Sequence, residues 1–455
     1  MPDRIVVVGS GICGLTAAYL LIRSCKTAHV TVIDAGSPAT PDSVQPTCPG
    51  GATFGAGLDA RHFTGSEGIS LRTSGIESAL RTVPWAPAPG GVESECFAWL
   101  CVNRELSNPE SDWREDYPPD IGADPDPLDA SHVLLNYGGM AAWNRLKAVD
   151  PSLETHCIDD DGVLVFFEAG DRIKDDFNME QGFEQAATGA STVCYVDASQ
   201  VGSAGGATLV ESGLDRRALL VPGSSWRIRS LGQHLLNYLA GSGRVEFRWG
   251  VRVEHAADLP QCDAVIWTTG SSVVTPEPLR RISRVQGLAG FWMSLPNHGF
   301  ERPFKICAPQ PSAYINFTPD GDSLLVSGGF AWVGRMSLEE VSELSLPAKA
   351  WLVRHIEEYL GAGICSPDIG LCIRPSTRTG LPDIWKMNSD GTLHLGISGS
   401  TKAGATHAAL LATHAAIQLG VFPAGTEAAG SEAEELALRN GLAELAKSTR
   451  LVTEW

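Results

Sequence analysis

No stretch of this 455-residue chain is a membrane span, because every apolar run meets a charge or a glycine well short of the roughly 18–20 residues a bilayer helix needs. Basic residues are also scarce: 34 Lys and Arg stand against 53 Asp and Glu, a formal net charge of −19. Nucleic acid and anionic membrane are therefore excluded as main partners, since both need a basic surface. The 11 cysteines contain no CxxC pair, and the histidines have no zinc-like spacing, so no metal site is expected. An odd cysteine count without framework spacing suits a reducing cytoplasm, with each thiol read as a small buried hydrophobe. No secretion leader is expected either, because Asp3 and Arg4 stand directly before an apolar strand. The length allows two or three domains.

What the chain does have is concentrated in its first 35 positions, RIVVVGSGICGLTAAYLLIRSCKTAHVTVIDA. Ile5–Val8 is a continuous apolar run, the pattern of a strand buried on both faces of a parallel sheet. Gly9 and Gly11 allow a tight turn and a close backbone approach to a pyrophosphate, and Gly14 lets the following helix, Leu15 to about Arg23, pack on the strand. Ile12 and Cys13 lie inside the turn, where the helix N-terminus favours an anion. A second strand from His29 ends at Asp34 and Ala35, about 20 residues on, where an acid meets a ribose and disfavours a 2′-phosphate. Glycine triplets of this kind arise by chance, but here the strand, the helix and the acid are all in place.

After Asp34 a turn-rich stretch carries Gly50, Gly51, Gly55 and Gly57, which read either as backbone close to something flat or phosphorylated or as a surface loop. Arg61 and His62 are an anion contact and proton carrier, or a structural pair on that loop. From about Thr82 to Gly189 the chain turns proline-, tryptophan- and acid-rich, with a helix in GGMAAWNRLKAVDPSL showing Met140, Trp143, Leu146 and Val149 on one face. An amphipathic helix follows with Leu231, Leu235, Leu236 and Leu239 on one side, then a period-two strand through Val245, Phe247 and Trp249 continuing to Val251 and Val253. CDAVIWTTG is a short strand ending at Gly270. Between about Val285 and Pro375 short branched and aromatic runs signal a sheet, interrupted by one helix with Trp351, Val353 and Ile356 on its apolar side. The segment GTLHLGISGSTKAGATHAALLATHAAIQLG repeats strand, small-residue turn and helix, and a charged amphipathic helix closes the chain.

Taken together, this order of parts resembles the D-amino-acid oxidase and glycine oxidase family of FAD flavoproteins. GSGICG with Asp34 is similar to its dinucleotide fingerprint, TCPGGATFGAG to its second glycine loop, and WTTG to its returning strand. SAYINFTPDGDSLLVSGG resembles its tyrosine hairpin and LCIRPSTRTGLPDI its Arg-Pro motif. In SGSTKAGATH the spacing of Gly399, Gly404 and Thr406 resembles the set around the flavin ring. Two departures are Ser400, where the family often has histidine, and Lys402 inside the loop.

The resemblance implies an α/β fold: a Rossmann-type, glutathione-reductase-like FAD domain and a second, mainly antiparallel β substrate domain. The FAD domain is expected from 1–80, 201–278 and 376–424, an insertion contributing to the substrate domain from 81–200, the substrate sheet from 279–375, and a terminal helix from 425–455. It also implies non-covalent FAD, because neither Cys365 nor Cys372 falls in the late loop. Arg374, also near the flavin, would clamp a substrate carboxylate with Tyr314, and hydride transfer from Cα would turn an amino or imino acid into an imine, with oxygen or another acceptor taking the electrons. The alternatives are an FAD enzyme acting on a simple amine or hydroxy acid, and a non-catalytic binding protein resembling the Rab GDP-dissociation inhibitors.

Overall fold

Arg4–Val8 is the central strand of a seven-stranded sheet, and its apolar run is explained by two covered faces. The sheet runs edge to edge through Arg450–Leu451, Asp383–Ser389, Thr392–Ser398, Ala264–Trp267, Arg4–Val8, His29–Asp34 and Val245–Trp249. Every pairing is parallel except Asp383–Ser389 with Thr392–Ser398. Ile5 and Val7 join a core with the helices Ile12–Ser24, Ile228–Gly241 and Gly404–Gln418, while Val6 and Val8 pack on the other side with Ile33, Val265, Trp267 and Trp385. The computed structural model describes residues 2–36, 61–65, 127–170, 172–270, 282–309, 312–334, 346–361, 369–377, 379–400, 403–421 and 430–453.

A second sheet has eight strands in the order Gly370–Ser376, Gln286–Pro296, Ser323–Gly334, Ser312–Asp320, Phe304–Pro309, Val163–Phe166, Arg217–Val221 and Cys194–Asp197. It is antiparallel but for the pairing of Phe304–Pro309 with Val163–Phe166. One face is apolar: Phe291, Met293, Ile315, Phe317 and Val326 are fully buried with Leu352 and Ile356 of the helix Leu346–Leu360. Leu352 and Ile356 enter that core with Val353 packed against it, and the Trp351 side chain lies outside the described residues. The other face carries Lys305, Thr318 and Ser327, all buried.

Several elements differ from their sequence expectation. The first helix begins at Ile12, because Gly11 with extended backbone serves as its N-cap. The strand at Val245 stops at Trp249, where Gly250 takes a positive φ and the chain turns away. Arg61–Thr64, expected in a loop, pairs with Gly223–Trp226 in a small three-stranded sheet completed by Cys157–Asp159. Within 81–200 the helix Pro127–Val149 packs on the helices Gly404–Gln418 and Glu432–Ser448, beside the parallel sheet, whereas Val163–Phe166 and Cys194–Asp197 enter the larger sheet. The acidic run before it lies outside the described residues.

Two histidines in the parallel-sheet half are held neutral. Burial lowers His394 to about 4, and burial together with the charge of Lys386 lowers His414 to about 4. In the unfolded chain each titrates near ~6.5. Because the folded pKa lies below the unfolded one, the unfolded chain takes up protons first, so this stabilisation is complete above ~6.5 and is lost as pH falls toward 4. Thermal unfolding should show Tm falling across that window. His414→Gln, which carries no titrating ring, should show a shallower fall.

Candidate functional site

The two glycine turns meet at the carboxyl edge of the parallel sheet, and their glycines divide into two kinds. Gly9 has φ +104° and donates its N–H to the Ile33 carbonyl at 2.8 Å. A Cβ on Gly14 would overlap the Gly9 carbonyl and stand 2.6 Å from Thr268 Oγ1. Thr268 in turn donates that hydroxyl toward the carbonyls of Val8 at 3.0 Å and Gly9 at 2.9 Å, so the returning strand locks the turn. These two glycines are demanded by the protein's own packing. Gly11 is not: its φ is −63° and a Cβ there would meet nothing within 4 Å. Its lack of a side chain leaves room for something else at the helix N-terminus.

The late loop repeats the division. Gly399 has φ +82° and its Cβ would fall 2.7 Å from Thr377 Cγ2, while a Cβ on Gly404 meets nothing within 4 Å. Gly404 opens the helix Gly404–Gln418, and its carbonyl accepts the Cys13 thiol at 3.6 Å, so the N-termini of the two helices stand together. Burial pushes that thiol up to about 12, leaving Cys13 protonated. Thr406 is buried beneath Gly139, and Trp143 Nε1 donates to the Ala405 carbonyl at 2.9 Å. Asn136 bridges the Gly65 carbonyl and His407 Nε2, each at 2.8 Å, tying the Arg61–Thr64 strand to this helix. His62 faces Thr318, with Nε2 2.8 Å from its hydroxyl. Gly270, at φ +67°, accepts from Ser398 Oγ at 3.4 Å.

Asp34 closes its strand as expected, but its carboxylate is already engaged by Ser10 N at 2.6 Å, Ser10 Oγ at 2.8 Å and Gly36 N at 2.7 Å. It shapes the first turn, and Ala35 follows it half-buried. Gly50, Gly51 and Lys402 lie outside the described residues. Arg374 lies opposite Leu288, two residues before Ser376, which bridges Ser400 in the late loop. Its guanidinium covers Gly290 on the neighbouring strand, where any Cβ would overlap it. Tyr314 lies opposite Cys307 on the Ser312–Asp320 strand, three strands from Arg374, and its side chain is outside the described residues. Thr268, Ser10 and Gly290 were not singled out from sequence, because each acts through a partner that only the sheet brings near: Gly9 for Thr268, Asp34 for Ser10 and Arg374 for Gly290.

These features fit a flavin dinucleotide. Two helix N-termini meet beside glycines whose missing Cβ atoms answer to no protein neighbour, and among the described residues Ser400 Oγ and Gln286 Oε1 are buried polar atoms without a partner. Gln286 pairs with Ser376, which bridges Ser400, so both atoms belong to one corner. The family model for FAD dependent oxidoreductases (DAO) matches residues 4–416. The chain belongs to this family. It is an FAD-dependent oxidoreductase with a Rossmann-type FAD domain and a second β domain.

No curated protein matches the sequence of this oxidoreductase. Among solved structures it is similar to glycine oxidase from Geobacillus kaustophilus, at 15% identity and TM-score 0.54 over 93% of this chain and 96% of that one. It is also similar to iminodiacetate oxidase from a Chelativorans species, at 16% identity and TM-score 0.53 over 92% and 96%. L-amino acid deaminase from Proteus vulgaris, with its specific insertion deleted, gives 13% and 0.53 over 93% and 92%. Likeness at such low identity shows the fold alone. Among the described residues of the oxidoreductase no helix is long and apolar enough to cross a membrane, and no cluster of His, Cys, Asp and Glu could hold a metal ion.

Proposed function

We propose that this oxidoreductase oxidises the Cα–N bond of an amino or imino acid whose carboxylate is held by Arg374. The observation that carries the reading is the guanidinium of Arg374 laid over Gly290, from a strand whose last residue, Ser376, bridges Ser400 in the late glycine loop. A planar, always charged fork suits a carboxylate. Glycine oxidase, iminodiacetate oxidase and L-amino acid deaminase are named for amines that carry one.

FAD, held without a covalent link, would supply a two-electron acceptor for the substrate's hydride. The residues that would hold it are Gly9, Gly11, Ile12, Cys13 and Gly14 at the pyrophosphate, Asp34 and Ala35 at the ribose, and Gly50, Gly51, Gly270, Gly399, Lys402, Gly404 and Thr406 along the ring system. Arg374 fixes the carboxylate and so aims Cα–H at the cofactor face, with Tyr314 completing the clamp. The amine lone pair drives the hydride out and becomes the imine, its nitrogen losing a proton to solvent, so no side-chain base is required. Water then hydrolyses the imine. Oxygen or another acceptor takes the electrons onward.

Gly290→Ala tests the clamp without removing the charge. The new methyl group occupies the place of the guanidinium, which must move by about an ångström or more. Reduction of the bound flavin by an amino acid should slow by ~10–100-fold, while FAD content stays unchanged and a carboxylate-free amine is oxidised as by wild type. Unchanged rates with the amino acid would remove Arg374 from substrate binding.

A further inference from the structure

Far from Arg374, the larger sheet borders a cavity of about 510 Å³. Its walls are the helices Pro127–Val149, Arg172–Thr188 and Glu432–Ser448 on one side, and on the other the end of the strand Arg217–Val221 with Gly223 and Ser224. Arg374 belongs to the edge strand Gly370–Ser376, and Arg217–Val221 is six strands away, roughly 29 Å across the sheet at the usual strand spacing. The helix Pro127–Val149 also turns a different face to the cofactor: Gly139 and Trp143 rest on Gly404–Gln418, whereas Tyr137, Met140, Ala141 and Asn144 line the cavity at helical spacing. The cavity is therefore separate from the flavin corner and from the clamp.

Two independent features mark what it holds. The first is charge of one sign: Asp160, Asp161, Glu184 and Glu434 line it, and no lysine, arginine or histidine does among the described residues. Asp160 pairs with Lys147, Glu434 caps its own helix, and Glu184 accepts from Ser191, Thr192 and Val193, whereas Asp161 at the exposed rim engages its neighbours through its main chain only. The second feature is a buried hydroxyl. Tyr137 is 4% exposed, and its Oη has no hydrogen-bond partner among the described residues. Buried polar atoms nearly always have one. The ring tip lies against Gly65, where a Cβ would overlap it, and Gly65 follows Thr64, which pairs with Gly223 of the cavity wall. The hydroxyl thus stands at the cavity floor. Burial and the charges of Glu180 and Glu184 raise the Tyr137 pKa well above its usual value, so the phenol stays neutral and presents an oxygen that can accept.

We propose that this cavity is a second binding site, for a small organic ammonium with an apolar body. Its N–H donates to Tyr137 Oη, the carboxylates of the wall supply the counter-charge, and its hydrocarbon packs on Met140, Ala141, Val221 and Ala437. A cation leaving water needs both a counter-charge and a hydrogen-bond partner, and the floor offers the two together. An anion is repelled by the same wall, and a neutral alcohol meets the hydroxyl but gains nothing from the charge. The site is independent of the clamp at Arg374 and stands whatever substrate the flavin takes.

The probe is 2-methylpentan-2-amine, which has no hydrogen on the carbon bearing nitrogen and so cannot be oxidised at the flavin; the neutral control is 2-methylpentan-2-ol. Calorimetric titration of the holoenzyme should show one amine per chain, bound at least about tenfold more tightly than the alcohol and with the flavin spectrum unchanged. Tyr137→Phe removes an oxygen that bonds nothing in the described protein, so Tm should hold or rise while affinity for the amine falls about tenfold or more. Asp161→Asn, at the rim, should weaken the amine about twofold and leave the alcohol alone. Arg374→Leu should not alter binding. Amine binding that is absent from wild type, matched by the alcohol or unchanged in Tyr137→Phe overturns the proposal. Binding lost in Arg374→Leu but kept in Tyr137→Phe would put the amine at the flavin and overturn it as well.

Discussion

Gly11→Ala should fold and purify without colour. Nothing in the protein opposes the substitution: the backbone at this position suits any L-residue, and the methyl group would touch no other atom of the chain. What it would meet is a pyrophosphate brought against the turn and the helix N-terminus behind it. Gly9→Ala and Gly14→Ala cannot make this distinction, because each also collides with the turn or with Thr268. The measurement is the ratio of flavin to protein absorbance, taken with the far-ultraviolet spectrum as a check on folding. A well-folded variant carrying a full complement of flavin would mean that Gly11 marks only a structural turn. Asp34→Ala should behave otherwise, lowering stability as well as affinity, since Ser10 and Gly36 lose their acceptor.

Arg374→Leu should cost about 3–5 kcal/mol of transition-state stabilisation in kcat/KM for an amino acid, with the flavin spectrum unchanged. The size follows from the proposed clamp: Arg374 is half-buried with its guanidinium laid over Gly290, and its removal would leave the substrate carboxylate without its counter-charge. An amine lacking the carboxylate should be a poor substrate for wild type and should lose little more in the variant. Arg374→Lys should recover only part of the activity, because an ammonium is a point charge and cannot supply two parallel hydrogen bonds. Reductive half-reaction rates for an amino acid and its decarboxylated amine, on all three proteins, decide the matter. Equal loss on both compounds, or on neither, would move the assignment to a simple amine or a hydroxy acid.

Much of this was legible in the sequence for a local reason. The fingerprint spans some thirty contiguous residues, so strand, turn, helix and acid declare one another, and the late loop shows the same logic around Gly399 and Gly404. Less legible were features made by register. Gly290 looks like any small residue in QGLAG until the sheet brings Arg374 across from the next strand. Thr268 reads as the end of a strand until it is seen holding Gly9 and Gly14 in place. The division of 81–200 between two layers was hidden because the helix Pro127–Val149 has apolar residues around much of its circumference, and nothing local says which sheet they serve.

The central strand Arg4–Val8 is flanked by Ala264–Trp267, and that strand by Thr392–Ser398, so neighbours in space are far apart in order of synthesis. At ~5–20 residues per second a ribosome makes the first strand roughly 20–80 s before the last of these partners. For about the first two thirds of that interval the apolar RIVVV segment lacks its Ala264–Trp267 flank, and for all of it the second of the two neighbouring helix N-termini, at Gly404, does not exist. With the dinucleotide held as proposed, flavin capture would follow the emergence of nearly the whole chain, which would make cofactor loading the closing event of folding and leave truncated chains with neither a finished sheet nor a ligand to stabilise one.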